Sequence, residues 1–151
     1  MRTGCALLLA ITLPWAYGCA SGAAGGTKID PKISIHPVKV PETMTPRVDS
    51  FSSVLEIEIE NTAAEALTVD RIQLSSVGLS TYTILPVDQR PQKQIAPGAT
   101  ETFRVWAQVQ VQPTASEGLD PMMIRGSVEF IAASGGFRKT FAKQVNPSSL
   151  R

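Results

Sequence analysis

The run from Gln94 to Gln112, QIAPGATETFRVWAQVQVQ, leaves its chain little choice of local structure. Phe103, Val105, Ala107, Val109 and Val111 alternate with Arg104, Trp106, Gln108 and Gln110, the period of two that a half-buried strand requires. Wound as a helix, the same residues would scatter apolar side chains around the whole circumference. Just ahead, Ala96-Pro97-Gly98-Ala99 places proline where φ near −65° is wanted and glycine where φ must be positive, as a type II turn demands. A strand entered through a sharp corner, with one apolar face, needs a second apolar sheet to lie on. The expectation is an all-β, antiparallel β-sandwich.

The rest of the chain agrees with that reading. Lys32 to Val40 alternates through Ile33 and Ile35 and then, past Pro37, Val38 and Val40. Proline removes a ladder donor, so this run is expected at an edge, with a change of sheet at His36-Pro37. Val54 to Asn61 puts Leu55, Ile57 and Ile59 inward and Glu56, Glu58 and Glu60 outward, and Asn61 to Glu65 is a turn. In Leu67 to Leu74 the apolar phase slips between Val69 and Ile72, which predicts a β-bulge or bend near Asp70-Arg71. Ser80 to Val87 reads as a weaker strand ending at Pro86, Arg90 to Gln94 as a polar approach to the corner, and Pro113 to Pro121 as the longest irregular segment. Ile124 to Ala132 is the next strand, and Ser134-Gly135-Gly136-Phe137 supplies a closing hairpin. With Gly135-Gly136 as its two-residue loop, Phe130 would face Phe141. Lys139 and Lys143 then share the apolar face of the last strand, which assigns that strand to an edge protected by inward lysines.

Size and charge narrow the functional classes. The chain has 151 residues, room for one domain. Its 14 Lys and Arg stand against 13 Asp and Glu, and setting aside a leader that carries only Arg2 leaves the two signs balanced. A neutral domain without a basic run lacks the footprint of phosphate-backbone binding, so nucleic acid is not an expected partner. The only cysteines, Cys5 and Cys19, precede the strands, so no disulfide is expected inside the domain.

Those cysteines belong to a different signal. Met1 to Cys19 carries one positive charge, an apolar run from Cys5 to Leu13 and small residues before Cys19. That run is too short for the roughly twenty residues that span a bilayer and suits an export signal. Ala16-Tyr17-Gly18-Cys19 resembles the lipobox of bacterial lipoproteins, in which the cysteine after a small residue is lipidated and becomes the new N-terminus. Ala16 stands where that family usually has leucine. The resemblance implies residues 1–18 as signal peptide, a diacylglyceryl group on Cys19, no other cofactor, and a bacterial envelope location. Ala20 in place of aspartate points to the outer membrane, facing the periplasm, rather than the inner one. Ala20 to Thr27, ASGAAGGT, makes residues 19–31 a flexible tether of roughly 20 Å reach. The alternative is an ordinary cleaved secretory signal with Cys19 lost or left as a thiol.

The domain itself, residues 32–146 with a polar tail at 147–151, has about seven strands, the count of an immunoglobulin-like sandwich. The run IENTAAEALTVDRIQL followed by IAPGATETFRVWAQV resembles two groups of bacterial immunoglobulin-like modules, the water-stress or late-embryogenesis type and the cell-adhesion-related type. The resemblance implies a binding or accessory module.

Catalytic chemistry has few places to reside. His36 is the only histidine, it precedes a proline, and no Gly-x-Ser-x-Gly elbow accompanies it. One histidine with no cysteine in the domain serves zinc poorly. The outward row Glu56, Glu58, Glu60 reads more simply as a solvated face paired with basic neighbours than as an acid-base pair. Two places remain for binding. Trp106 with Arg104, on the polar phase of the central strand, forms a candidate protein contact unless a segment containing Met122 and Met123 covers the ring. Glu117 and Asp120, in the irregular segment, form a candidate loop site for an ion or a sugar. The expectation is a non-enzymatic, membrane-anchored envelope lipoprotein that binds another envelope protein, with a secreted carbohydrate- or ion-binding module as the alternative and a hydrolase a distant third.

Overall fold

The computed structural model describes residues 29–38, 49–78, 80–112, 121–146 and 150. Residues 1–18, expected as a signal peptide, Cys19, most of the expected tether and the candidate pair Glu117 and Asp120 lie outside these residues. Among the described residues nine strands follow one another: β1 (Lys32–Val38), β2 (Ser50–Glu60), β3 (Leu67–Val77), β4 (Tyr82–Ile84), β5 (Val87–Gln89), β6 (Lys93–Ile95), β7 (Thr100–Val111), β8 (Met122–Ala132) and β9 (Gly135–Val145). One antiparallel sheet has the order β1-β2-β7-β4, and the other runs β5-β3-β8-β9 with β6 also paired to β3. A sheet ordered first, second, seventh, fourth against one built on the third, eighth and ninth strands has the order of an immunoglobulin-like sandwich.

The alternation of the sequence becomes the core. Leu55, Ile57 and Ile59 of β2 face Phe103, Val105, Ala107 and Val109 of β7 within one sheet, and this layer packs on Leu67, Val69, Ile72, Leu74, Ile124, Val128 and Phe130 of the other. Each fully buried aliphatic side chain of this kind contributes about 1.5–3 kcal/mol relative to exposure. The β3–β8 register shifts between Val69 and Arg71, so the phase slip is a bulge that keeps both halves of β3 facing inward. At the corner before β7, Gly98 has φ +70° and the Ala99 amide donates to the Ala96 carbonyl at 3.1 Å, closing the expected turn.

Several expectations are corrected. β1 pairs with β2 without interruption from Lys32↔Glu60 to Val38↔Val54, so the chain does not change sheets at Pro37; at an edge the missing donor simply faces away from the ladder. The change of sheet occurs instead at Leu85-Pro86, which splits the expected strand into β4, beside β7, and β5, beside β3. The polar approach to the corner contains β6, which continues the same edge against Leu67 to Val69. In the β8–β9 hairpin the loop is Ala133-Ser134, and Phe130 faces Phe137 while Phe141 faces Gly126. Glu65 fixes this loop by accepting from the Ala133 amide at 2.8 Å and the Ser134 hydroxyl at 3.0 Å. Phe141 fits because residue 126 has no side chain: a Cβ there would lie 2.2 Å from the Phe141 ring. The stack of Phe130 on Phe137, centroids 5.1 Å apart, completes the alignment.

The folded unit also reaches past its expected limits. Ile29 packs against the core and Pro31 is buried, while at the far end Leu150 is buried at 1% exposure rather than belonging to a polar tail. β9 does lie at a sheet edge, and its inward Lys139 spans the open side of the sandwich to pair with Asp30 at 2.7 Å and donate to the Pro31 carbonyl. Lys143 makes no ion pair among the described residues.

Candidate functional site

Strand β7 lies between β2 and β4, so its outward side chains stand near the middle of one sheet face. Trp106 is 54% exposed there. Opposite it on β2 is Val54, and opposite Val54 on β1 is Val38, so three apolar residues cross three strands in one row. Val54 is buried although it points away from the core, which makes this row the apolar part of an otherwise polar face. The next row holds His36, Glu56 and Arg104; Arg104 Nε donates to Glu56 Oε1 at 3.0 Å with its guanidinium mostly exposed. A large ring ringed by polar groups that keep spare hydrogen-bonding capacity has the makeup of a protein contact centre. Met122 and Met123 do not cover the ring: Met122 is buried in the core from β8, and Met123 lies on the outer face of the opposite sheet.

The histidine and the glutamates that the sequence offered lie on this same face. His36 is exposed, with Nε2 3.2 Å from Ser34 Oγ. Glu56 and Glu60 are paired with Arg104 and Lys32, as a solvated face would have them. Among the described residues no group of three or more His, Cys, Asp or Glu is placed to hold a metal ion, and no helix is long and apolar enough to cross a membrane.

The opposite sheet carries a polar lattice on its outer face. Arg71 Nε donates to both oxygens of Asp88 at 2.9 and 3.1 Å, Gln73 reaches the same carboxylate, and Arg138 pairs with Glu129 across the hairpin. The Arg71 hydrogen bonds hold the Asp88 carboxyl below the usual aspartate range, and the same bonds raise the Arg71 guanidinium.

One residue with a long reach has only a local signature in the sequence. Asn61, fully buried, donates through Nδ2 to the carbonyls of Glu65 (2.8 Å), Ile95 (3.1 Å) and Ala96 (3.2 Å), and its Oδ1 accepts from the Ala63 amide at 2.9 Å. Its main chain bonds the corner as well, accepting from Gly98 and donating to Ala99. The turn after β2 and the corner before β7 are thereby one unit, while the alternation along β7 turns Trp106 outward.

Comparison with known proteins adds to the fold. No family model and no curated protein sequence matches the chain. Among solved structures, it is similar to a Bordetella pertussis protein with the provisional designation ApaA, at 21% identity and TM-score 0.53 over 79% of this chain and 95% of that one. It is also similar to a structural-genomics target designated SoR45, at 13% identity and TM-score 0.52 over 79% and 87% of the two chains. Both are all-β bacterial proteins, and at these identities the likeness speaks for the β-sandwich alone.

Proposed function

We propose that the chain is a non-enzymatic accessory module of a bacterial envelope, tethered by lipid on Cys19 and docking an envelope protein through the face around Trp106. The observation that carries this reading is the exposed Trp106 at the centre of the β7 face, beside Val38 and Val54 and next to Arg104. A tryptophan left half in water is uncommon unless something else covers it, and ring plus arginine is the pairing that dominates protein contacts. Support for the tether comes from the order of the sequence, with small residues, Cys19 and the Gly/Ala/Ser run directly ahead of the first folded residues.

Two measurements test the two halves. The N-terminal peptide of membrane-fraction protein is weighed intact: a fragment starting at Cys19 with acyl chains supports the anchor, and an unmodified fragment removes it in favour of a secreted module. A photo-crosslinker at Gln108, on the Trp106 face, is compared with one at Ala142, on the opposite sheet. A discrete adduct from Gln108 alone, lost in Trp106→Ala, supports the docking face; adducts independent of Trp106 remove it.

A further inference from the structure

Independently of the Trp106 face, the outer face of the β5-β3-β8-β9 sheet carries a depression of about 490 Å³. That lies within the range of small-molecule sites, roughly 300–1,000 Å³. Its lining includes Gln73, Ser75, Pro86, Arg125, Ser127 and Thr140. Most charge around it is already satisfied: Asp88 is held by Arg71, and Arg138 by Glu129. Arg125, Ser75 and Thr140 are different, since none has a side-chain partner among the described residues.

The register places these free groups together. Ser75 is directly opposite Arg125, Ser127 is the next residue of β8 on the same face, and Thr140 is opposite Ser127. They occupy a block of roughly 10 Å across strands by 7 Å along them. An unpaired guanidinium offers a fork of donors matched to a carboxylate. The hydroxyls of Ser75 and Thr140 serve a ligand that is itself hydroxylated, while the Gln73 amide is already engaged with Asp88 and Ser127. Among the described residues no aromatic ring lines the depression, so a neutral sugar would lack its usual stacking platform; the exposed Pro86 ring supplies only an apolar wall.

We infer that this depression binds an acidic sugar unit, a uronic acid, with its carboxylate on Arg125 and its ring hydroxyls on Ser75 and Thr140. The two surfaces would let one domain hold a protein on one sheet and a glycan on the other.

The test is an NMR titration of the ¹⁵N-labelled full-length chain with D-glucuronate, D-glucose and acetate as probes. The expected result is saturable shifts at Ser75, Arg125, Ser127 and Thr140 with glucuronate, at a millimolar dissociation constant. Glucose should give none, and acetate should bind more weakly. Losing a charged hydrogen-bond pair weakens binding about tenfold or more, so Arg125→Gln should do so, with Arg125→Lys intermediate and Arg90→Gln without effect. Because Arg125 is exposed, these variants keep the fold, and an unchanged remainder of the spectrum verifies it. Absence of saturation into the tens of millimolar, equal binding of glucose or acetate, or full binding by Arg125→Gln overturns the inference.

Discussion

Replacing Asn61 by alanine should be among the most damaging single polar substitutions in the domain. Its amide has two hydrogens shared among three carbonyls, and its oxygen holds the Ala63 amide. In Asn61→Ala the buried Ile95 carbonyl is stranded, at about 1–3 kcal/mol, while the carbonyls of Glu65 and Ala96 can turn partly to water. Loss of one further amide bond and of the Ala63 contact adds about 0.5–1.5 kcal/mol each, for a centre near 4 kcal/mol. With a urea slope of about 1–3 kcal/mol per molar, the unfolding midpoint should fall on the order of 2 M. Equilibrium denaturation followed by tryptophan fluorescence reads this directly. Asn61→Asp sharpens the test, because its carboxylate would face three carbonyl oxygens and its pKa in the folded state would rise above the unfolded value of about 3.9. The folded state then binds the proton more tightly, so the deficit of Asn61→Asp is full at neutral pH and shrinks as pH falls through that raised pKa. A loss below about 1 kcal/mol in Asn61→Ala, or an Asn61→Asp protein as stable as the native one at neutral pH, would refute the idea that one side chain joins the two turns.

Other outcomes follow from the same geometry. Gly126→Ala should cost about 1–3 kcal/mol in urea titrations through its clash with Phe141 and Leu74, and Phe141→Ala in the same chain should recover part of that loss non-additively. Ser53 is buried with no hydrogen-bond partner for its hydroxyl among the described residues, so Ser53→Ala should leave the midpoint unchanged or raise it by up to about 1 kcal/mol equivalent. Asp88 has a lowered pKa, so its ion pair with Arg71 keeps its full contribution above the ordinary aspartate value near 4 and loses it as pH falls below that. Acid titrations of Asp88→Asn should therefore diverge from native above that value and converge below it. Lys143→Val should leave the monomer folded but raise self-association in analytical ultracentrifugation, since it removes an inward charge from the β9 edge.

What the sequence made legible was governed by parity. Alternation assigned the faces of β2, β7 and β8, exposed Trp106 and placed the bulge in β3, because a period of two leaves each side chain one of two directions. The hairpin register was not legible for the same reason. Loops at Ala133-Ser134 and at Gly135-Gly136 put the same residues inward, so no apolar pattern separates them. The choice rests on Glu65 gripping the loop and on the space above Gly126, both contacts between distant parts of the chain. Gly135 does take a positive φ of +127°, but immediately after the loop rather than within it. The division of Ser80 to Val87 between β4 and β5 on different sheets, and the presence of β6, escaped because a three-residue strand contains too few alternations to register. Asn61 read as a turn residue, and nothing local reveals that its amide reaches carbonyls 34 and 35 positions away. Arg125 carries no signal of its own in the sequence, since only the strand pairing shows that Ser75 and Ala142, rather than carboxylates, stand across from it.

The clasp at the start of the fold has a mechanical meaning. Thr62 donates to the Asp30 carbonyl at 3.0 Å, Lys139 holds the Asp30 carboxylate, and β1 follows at once along the edge of its sheet. Tension arriving from the N-terminal side therefore meets this clasp before it meets any strand. If the load is resisted by a partner on the β7 face, it then runs along β1, whose register with β2 spans Lys32 to Val38. Pulled along its axis, β1 is sheared, so its ladder bonds share the force and yield together; pulled sideways, it would unzip one rung at a time. Under the proposed tether and docking face, a pull directed along β1 would thus meet the domain in its stronger direction.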